Sequence, residues 1–207
     1  TRMESNAKYR VLLVGSGLMT TALIDYLISF KDTHITIASN LLNDAQQMAK
    51  KSPSQLSAVF LNIFDESQLD SLVSSHSVVI SFVPPTLHMP VASSCLRNSR
   101  HLVTSSYISA DMAALDSQVK AKDLIFLNEC GLDPGIDIMS TMKVVHHAKD
   151  HGLKVVGYES YCGGLPIAEH ADNPLGYKFT WNPGAGIAAS KNKATYLKEK
   201  KVVEAEQ

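Results

Sequence analysis

Gly15 and Gly17 close the apolar run "YRVLLVG" and stand ahead of the helical "TTALIDYLISF". Two glycines at a strand-to-helix turn suit the holding of an anion. The first permits the tight turn, and the second lets backbone approach a pyrophosphate. The free N–H groups of the following helix then face the anion, with the helix dipole behind them. Leu18 and Met19 continue the turn and belong to the same candidate cofactor site. The third position of the dinucleotide fingerprint is Thr20 rather than Gly or Ala, so the glycine pair alone is a weak signal. Its context strengthens it: a strand before, a helix after, and a second strand ending about 20 residues on. We read the turn as a phosphate cradle.

The end of that second strand bears on the choice of dinucleotide. An acidic side chain there bonds the adenosine ribose, whereas Arg pairs with a 2′-phosphate. This chain offers Ser39 and Asn40, neither acid nor base. Asn bonds a ribose hydroxyl but cannot neutralise a phosphate dianion, so the reading favours NAD, with NADP as the alternative. Asn40 is equally suited to a plain turn. Asp65, at the end of the third strand, either reaches the adenine or caps the helix that follows.

Six strand-like segments alternate with helices and must position these groups. "YRVLLVG", "HITIAS", "LSAVFLNIFD", "SVVISFVPP", "HLVTSSYIS" and "DLIFLNECGLDPG" are short, apolar and β-branched, as strands buried on both faces are. "TTALIDYLISF", "LLNDAQQMAKK", "ESQLDSLVSS" and "DMAALDSQVKAK" read as helices, the first with Ala22, Leu23, Tyr26, Leu27 and Phe30 on one stripe. The alternation implies a parallel sheet with right-handed crossovers. After it comes a longer amphipathic helix, "IDIMSTMKVVHHAKDHG", then a strand leading into a turn, "KVVGYESYCGGLP". "EHADNPLGYKFTWNPGAG" is rich in Gly, Pro and Asn and reads as irregular structure. The charged end "KNKATYLKEKKVVEAEQ" reads as surface. Residues 1–8 form a linker, 9–136 a dinucleotide-binding domain, and 137–207 the start of a second domain.

A net charge of −1 over 207 residues makes no electrostatic case for nucleic acid or an anionic membrane. No apolar stretch approaches the roughly 20 residues needed to span a bilayer. The three cysteines, Cys95, Cys130 and Cys162, are odd in number and lack metal spacing. They read as reduced thiols in a reducing compartment. "TRMESNAKYR" has no apolar core of a secretory signal, so the protein is not read as secreted. Tyr196 and Lys200 have the Y-x-x-x-K spacing of short-chain dehydrogenases, but the glycine turn of that class is missing and the match is rejected.

Four stretches in order, "VTSSYIS", "NECGLDPGID", "SYCGGLP" and "DNPLGYKFTW", resemble the glutamate-forming saccharopine dehydrogenases. In animals and plants this family forms the second half of the bifunctional aminoadipic semialdehyde synthase. The resemblance runs from about Val11 to about Val203 and implies a Rossmann-type doubly wound parallel sheet followed by the beginning of an α/β substrate domain. The implied chemistry is oxidation of a secondary amine. Hydride leaves the carbon beside nitrogen for the nicotinamide, and the imine is hydrolysed to glutamate and 2-aminoadipate 6-semialdehyde, or the reverse. Such a site needs a proton acceptor and donor near the nitrogen and cations for several carboxylates.

The resemblance places Tyr107, Asp133 and Cys162 around the reacting centre as catalytic residues. It sets Ser105 and Ser106 beside cofactor or substrate, and Leu132 and Asp133 near the nicotinamide. Val83 and Pro84 of "SFVPPTLHMP" border the cofactor, and Ser106, Tyr107 and Asp133 form the substrate side. Each has an ordinary reading as well. Asp133 before Pro134 looks like a helix N-cap. Tyr107 could be an aromatic at the edge of the core, and Cys162 a small buried hydrophobe. His88 and His170 sit in matching motifs and read as structural, and His146 and His147 as surface or interface residues.

Arg occurs only at positions 2, 10, 97 and 100, none in the expected substrate domain, although the implied substrate carries three carboxylates. The expectation is therefore a dinucleotide domain with an incomplete substrate domain, which binds NAD weakly and does not turn over saccharopine by itself. The resemblance further implies a homodimer and a mitochondrial or cytoplasmic location. Two other readings stay open: a dinucleotide-binding or interaction protein of the same family without catalysis, and an oxidoreductase acting on a different amino-acid semialdehyde.

Overall fold

The computed structural model describes residues 8–178, 184 and 193–205. Parts of "DNPLGYKFTW" and "EHADNPLGYKFTWNPGAG" lie outside the described residues. Contacts divide the chain into two units, Thr1–Ser160 and Tyr161–Gln207.

The first unit is built on strands β1 (Tyr9–Val14), β2 (Thr33–Ser39), β3 (Leu56–Phe60), β4 (Val78–Ser81), β5 (His101–Thr104) and β6 (Phe126–Leu127). They form one sheet in the order β3-β2-β1-β4-β5-β6. Every pair is parallel, with Val14 beside Ala38 on one side and Ser81 on the other. This is a doubly wound α/β fold, whose strand order reverses between β1 and β4 and opens a crevice at their carboxyl ends.

β1 shows why the sheet forms. Leu12 and Val14 pack into one core cluster with Leu69, Val73, Val79, Val91 and Leu102. Val11 and Leu13 pack into another with Ile24, Ile35, Ile37, Leu56 and Ile80. Alternation at period two feeds both faces, so a continuous apolar run is what the strand requires. Helices α1 (Thr20–Leu27) and α2 (Leu42–Ala49) cover one face. The other is covered by α3 (Glu66–Ser74), α4 (His88–Arg97) and α5 (Ala110–Ala114), and α6 (Asp116–Ala121) follows α5.

Several elements depart from the sequence reading. β3, β4 and β6 stop well short of the apolar runs that carry them. Leu61, Ile63 and Val83 beyond their ends still pack on the core, so those apolar residues serve packing without joining the ladder. The buried stripe of α1 is Thr20 and Ile24, flanked by Leu23, Leu27 and Ile28. Tyr26 and Phe30 face outward as an edge-to-face pair. α4 is not among the expected helices: Pro84 and Pro85 end a strand-like segment and Pro90 follows closely. Pro85 opens a 3₁₀ turn and Pro90 falls in the first turn of α4, where a missing N–H costs nothing. The single expected helix over 111–122 is two helices meeting at Leu115.

A last helix of this unit, α7 (Ile136–Asp150), has no buried residue. The stretch 154–166, expected as a strand leading into a turn, is irregular. In the second unit, a 3₁₀ turn at Ala168–His170 precedes an antiparallel hairpin of β7 (Ala194–Lys198) and β8 (Lys201–Ala205). Glu199 and Lys200 both adopt positive φ, as a two-residue hairpin turn demands. Tyr196 therefore lies in a strand and Lys200 in the turn, not on one helical face.

Candidate functional site

The glycine turn lies at the reversal point of the strand order. Gly15 has φ +114°, and a Cβ there would sit 2.8 Å from the carbonyl oxygen of Phe82. Only glycine fits, because the turn crosses so close to the chain leaving β4. At Gly17 a Cβ would meet nothing within 4 Å. Its lack of a side chain leaves open space over the turn, as the approach of a pyrophosphate would require. α1 begins at once with Met19 as N-cap and no side-chain cap bond, so its first N–H groups have no side-chain acceptor. Leu18 and Met19 are exposed on the turn. Thr20 is fully buried and its N–H donates to the Gly17 carbonyl at 3.0 Å.

Next to the turn, the end of β2 is tied down. The buried Ser39 hydroxyl bonds that of Ser16 at 2.8 Å and accepts the Leu41 N–H at 3.0 Å. Ser39 thus clasps the glycine turn to the loop after β2, and Asn40 is left exposed. Asp65 resolves to a cap: its Oδ1 accepts the Gln68 N–H at 3.0 Å at the start of α3. Val83 and Pro84 follow β4, with the Pro84 carbonyl accepting from Leu87.

On the β5–β6 side the loops knit together. Cys130 donates its N–H to the Thr104 carbonyl and Glu129 to that of Ser106. The 131–135 loop closes on itself, with Gly131 N–H bonding the Pro134 carbonyl at 2.9 Å and Ile136 N–H bonding the Gly131 carbonyl at 3.0 Å. A Cβ at Gly135, whose φ is +149°, would stand 2.2 Å from the Gly131 oxygen. At Gly131 it would crowd the carbonyl of Ser105 at 3.3 Å. These glycines let the loop fold tightly enough to carry Leu132, exposed, and Asp133 at its tip.

There the Tyr107 hydroxyl donates to Asp133 Oδ1. The carboxylate beside it, with some burial, pushes the Tyr107 hydroxyl up to about 12, so at neutral pH the phenol keeps its proton and the carboxylate accepts it. Asp133 is not a helix cap. The N-cap of α7 is Gly135, whose N–H is taken by Asp137 at 2.8 Å. Of the three candidate catalytic residues, Tyr107 and Asp133 meet. Cys162 belongs to the second unit, where it is exposed.

His88, read as a structural histidine, is bonded at both ring nitrogens. His88 is 5 % exposed, with Nδ1 2.9 Å from the Ser81 hydroxyl and Nε2 2.8 Å from that of Ser106. Burial lowers its pKa, so the ring is neutral. The signal available was its place right after the prolines that close β4. His146, His147 and His170 are exposed. Among the described residues, no group of three His, Cys, Asp or Glu could hold a metal ion, and no helix is long and apolar enough to cross a membrane.

Residues 11–127 match the saccharopine dehydrogenase NADP binding domain, and 131–207 match the saccharopine dehydrogenase C-terminal domain. This chain belongs to the saccharopine dehydrogenase family. It is 41% identical over 192 residues to a saccharopine dehydrogenase [NADP(+), L-glutamate-forming] of Saccharomyces cerevisiae, covering 93% of this chain and 43% of that protein. To the mitochondrial alpha-aminoadipic semialdehyde synthase of Mus musculus it is 39% identical over 202 residues, 97% of this chain and 22% of the relative. A solved structure of apo histidine-tagged saccharopine dehydrogenase (L-Glu forming) from Saccharomyces cerevisiae superposes with a TM-score of 0.85 at 39% identity, over 96% of this chain and 44% of the other. The chain therefore spans less than half the length of these relatives.

Proposed function

We propose that these residues supply the dinucleotide half of an NADP-dependent saccharopine dehydrogenase of the L-glutamate-forming type, an oxidoreductase of lysine metabolism. The observation that carries this reading is the Tyr107–Asp133 pair, set on loops at the carboxyl end of the same sheet whose glycine turn leaves room for a pyrophosphate. Bound NADP supplies the hydride acceptor. Gly15, Gly17 and the first N–H groups of α1 bind the pyrophosphate, with Leu18 and Met19 alongside.

The Asp133 carboxylate takes the proton that the secondary amine gives up, and Tyr107 holds that carboxylate in place through its own retained proton. Ser106 bonds the substrate. Ser105, Leu132, Val83 and Pro84 line the nicotinamide side, and we keep Cys162 as a candidate for proton transfer in the same reaction. We assign Ser39 to holding the ribose corner and leave ribose recognition to Asn40.

The matched domain supports NADP, where the sequence reading leaned to NAD. The stretch Ser39–Asp44 carries no Lys or Arg for a 2′-phosphate, so NAD binds as well and discrimination is modest. A homodimer and a mitochondrial or cytoplasmic address follow the resemblance. Tyr107 and Asp133, paired, speak against a merely dinucleotide-binding relative.

The test is saccharopine oxidation by the full-length natural protein, followed through reduced nicotinamide, with calorimetric titration of NADP and NAD. Release of glutamate and semialdehyde supports the reading. Dinucleotide binding without turnover of any such amine refutes the catalytic part.

A further inference from the structure

We infer that His88 is a positioning residue for the reaction proposed above, on which this inference rests: its Nε2 holds the Ser106 hydroxyl in the orientation that the substrate meets. Ser81 ends β4, and its partner across the ladder is Thr104, the last residue of β5. His88 opens α4 and bridges the exits of these two neighbouring strands, with a hydroxyl on each ring nitrogen.

A histidine buried only to fill the core would be satisfied by buried neighbours. Here one partner, Ser81, is fully buried, while the other, Ser106, is half-buried and adjoins Tyr107. The short segment Ser106–Tyr107 is held at three points: its carbonyl by the Glu129 N–H, its serine hydroxyl by His88, and its phenol by Asp133. Because the ring is neutral it carries one N–H, so it donates at one nitrogen and accepts at the other. The Ser106 oxygen is thereby held in place, anchored through His88 to Ser81 at the end of β4.

Two substitutions separate the two bonds. A glutamine carboxamide reaches about as far as Nε2 and an asparagine as far as Nδ1. His88→Gln therefore keeps the Ser106 contact and loses that of Ser81, and His88→Asn does the reverse. Each gives up one buried hydrogen bond, so a purely structural histidine predicts equal losses of melting temperature and of kcat.

Positioning predicts otherwise in the full-length protein assayed with saccharopine. His88→Asn and Ser106→Ala each lower kcat about tenfold, the worth of one well-made hydrogen bond. His88→Gln recovers most of that loss, KM for the dinucleotide stays within about twofold, and the double variant His88→Asn/Ser106→Ala falls no further than either single one. Equal kcat in His88→Asn and His88→Gln, or losses that multiply in the double variant, overturn the inference while leaving the proposed activity standing. A folded wild type that oxidises no such amine refutes the activity and the inference with it.

Discussion

The two glycines of the turn should respond to alanine in opposite ways. At Gly15, φ is +114° and the new Cβ would stand 2.8 Å from the Phe82 oxygen and 3.0 Å from its carbon. Backbone strain of this kind costs about 1–3 kcal/mol. Driving a methyl into packed backbone adds about 1–3 kcal/mol more. A domain of this size loses about 2–4 °C of melting temperature per kcal/mol, so Gly15→Ala should melt about 10 °C lower.

Gly17 has no positive φ, and a Cβ there meets nothing within 4 Å. Gly17→Ala should leave stability within about 1 kcal/mol of wild type. The methyl enters the space over the turn, however, and displaces the anion from the N–H groups beneath. Losing one charge-assisted bond of about 1.5–3 kcal/mol weakens dinucleotide binding by roughly 10- to 100-fold. Thermal melts and calorimetric titration with NADP read the two effects separately. Unchanged affinity in Gly17→Ala would refute the cradle, and an unshifted melt in Gly15→Ala would refute the steric argument.

Other expectations follow from the same geometry. Asn40→Arg should raise affinity for NADP about tenfold or more while leaving NAD nearly unchanged, since only a 2′-phosphate gains a charged partner; equal changes for both dinucleotides would remove Asn40 from the ribose corner. Asp133→Asn removes the carboxylate that pushes the Tyr107 hydroxyl up to about 12, so the ultraviolet titration of that tyrosine should fall back towards about 10; an unmoved titration would deny the pairing. Burial lowers the pKa of both His76 and His88 below the ordinary value of about 6.5. The unfolded chain then binds more protons, so the stability they contribute is complete above that pH and is lost as pH falls below it. Denaturant midpoints should drop between about pH 7 and pH 5 by this mechanism, and His76→Gln should flatten the slope; midpoints constant over that range would contradict it.

What the residues alone made legible were the features with local causes. The apolar runs of β1 and β2 are strands buried on both faces, with four consecutive buried residues from Val11 to Val14 in β1 and five from Ile35 to Ser39 in β2. Gly15 and Gly17 marked the turn for the same local reason. α4 stayed hidden because proline is a breaker everywhere except in a helix's first turn, and which case holds depends on where the helix starts. Tyr26 and Phe30 looked inward because one short helix offers two overlapping apolar stripes, and only the sheet beneath chose Ile24.

The site divides along the same line. Asp65 and Asp133 both read as caps or as site residues. Asp65 became a cap because Gln68 lies one turn ahead of it, a contact within four residues. Asp133 instead met Tyr107, a residue 26 positions away that only the juxtaposed exits of β5 and β6 could deliver. The same holds for Ser16 with Ser39 and for His88 between Ser81 and Ser106. Residue type and spacing determined where the strands of the sheet lie along the chain and the glycine turn between β1 and α1. Which hydroxyls and carboxylates are already committed to one another was decided by the sheet, because it gathers the segments that leave neighbouring strands and so brings together residues such as Ser16 and Ser39, or Tyr107 and Asp133, that are distant along the chain.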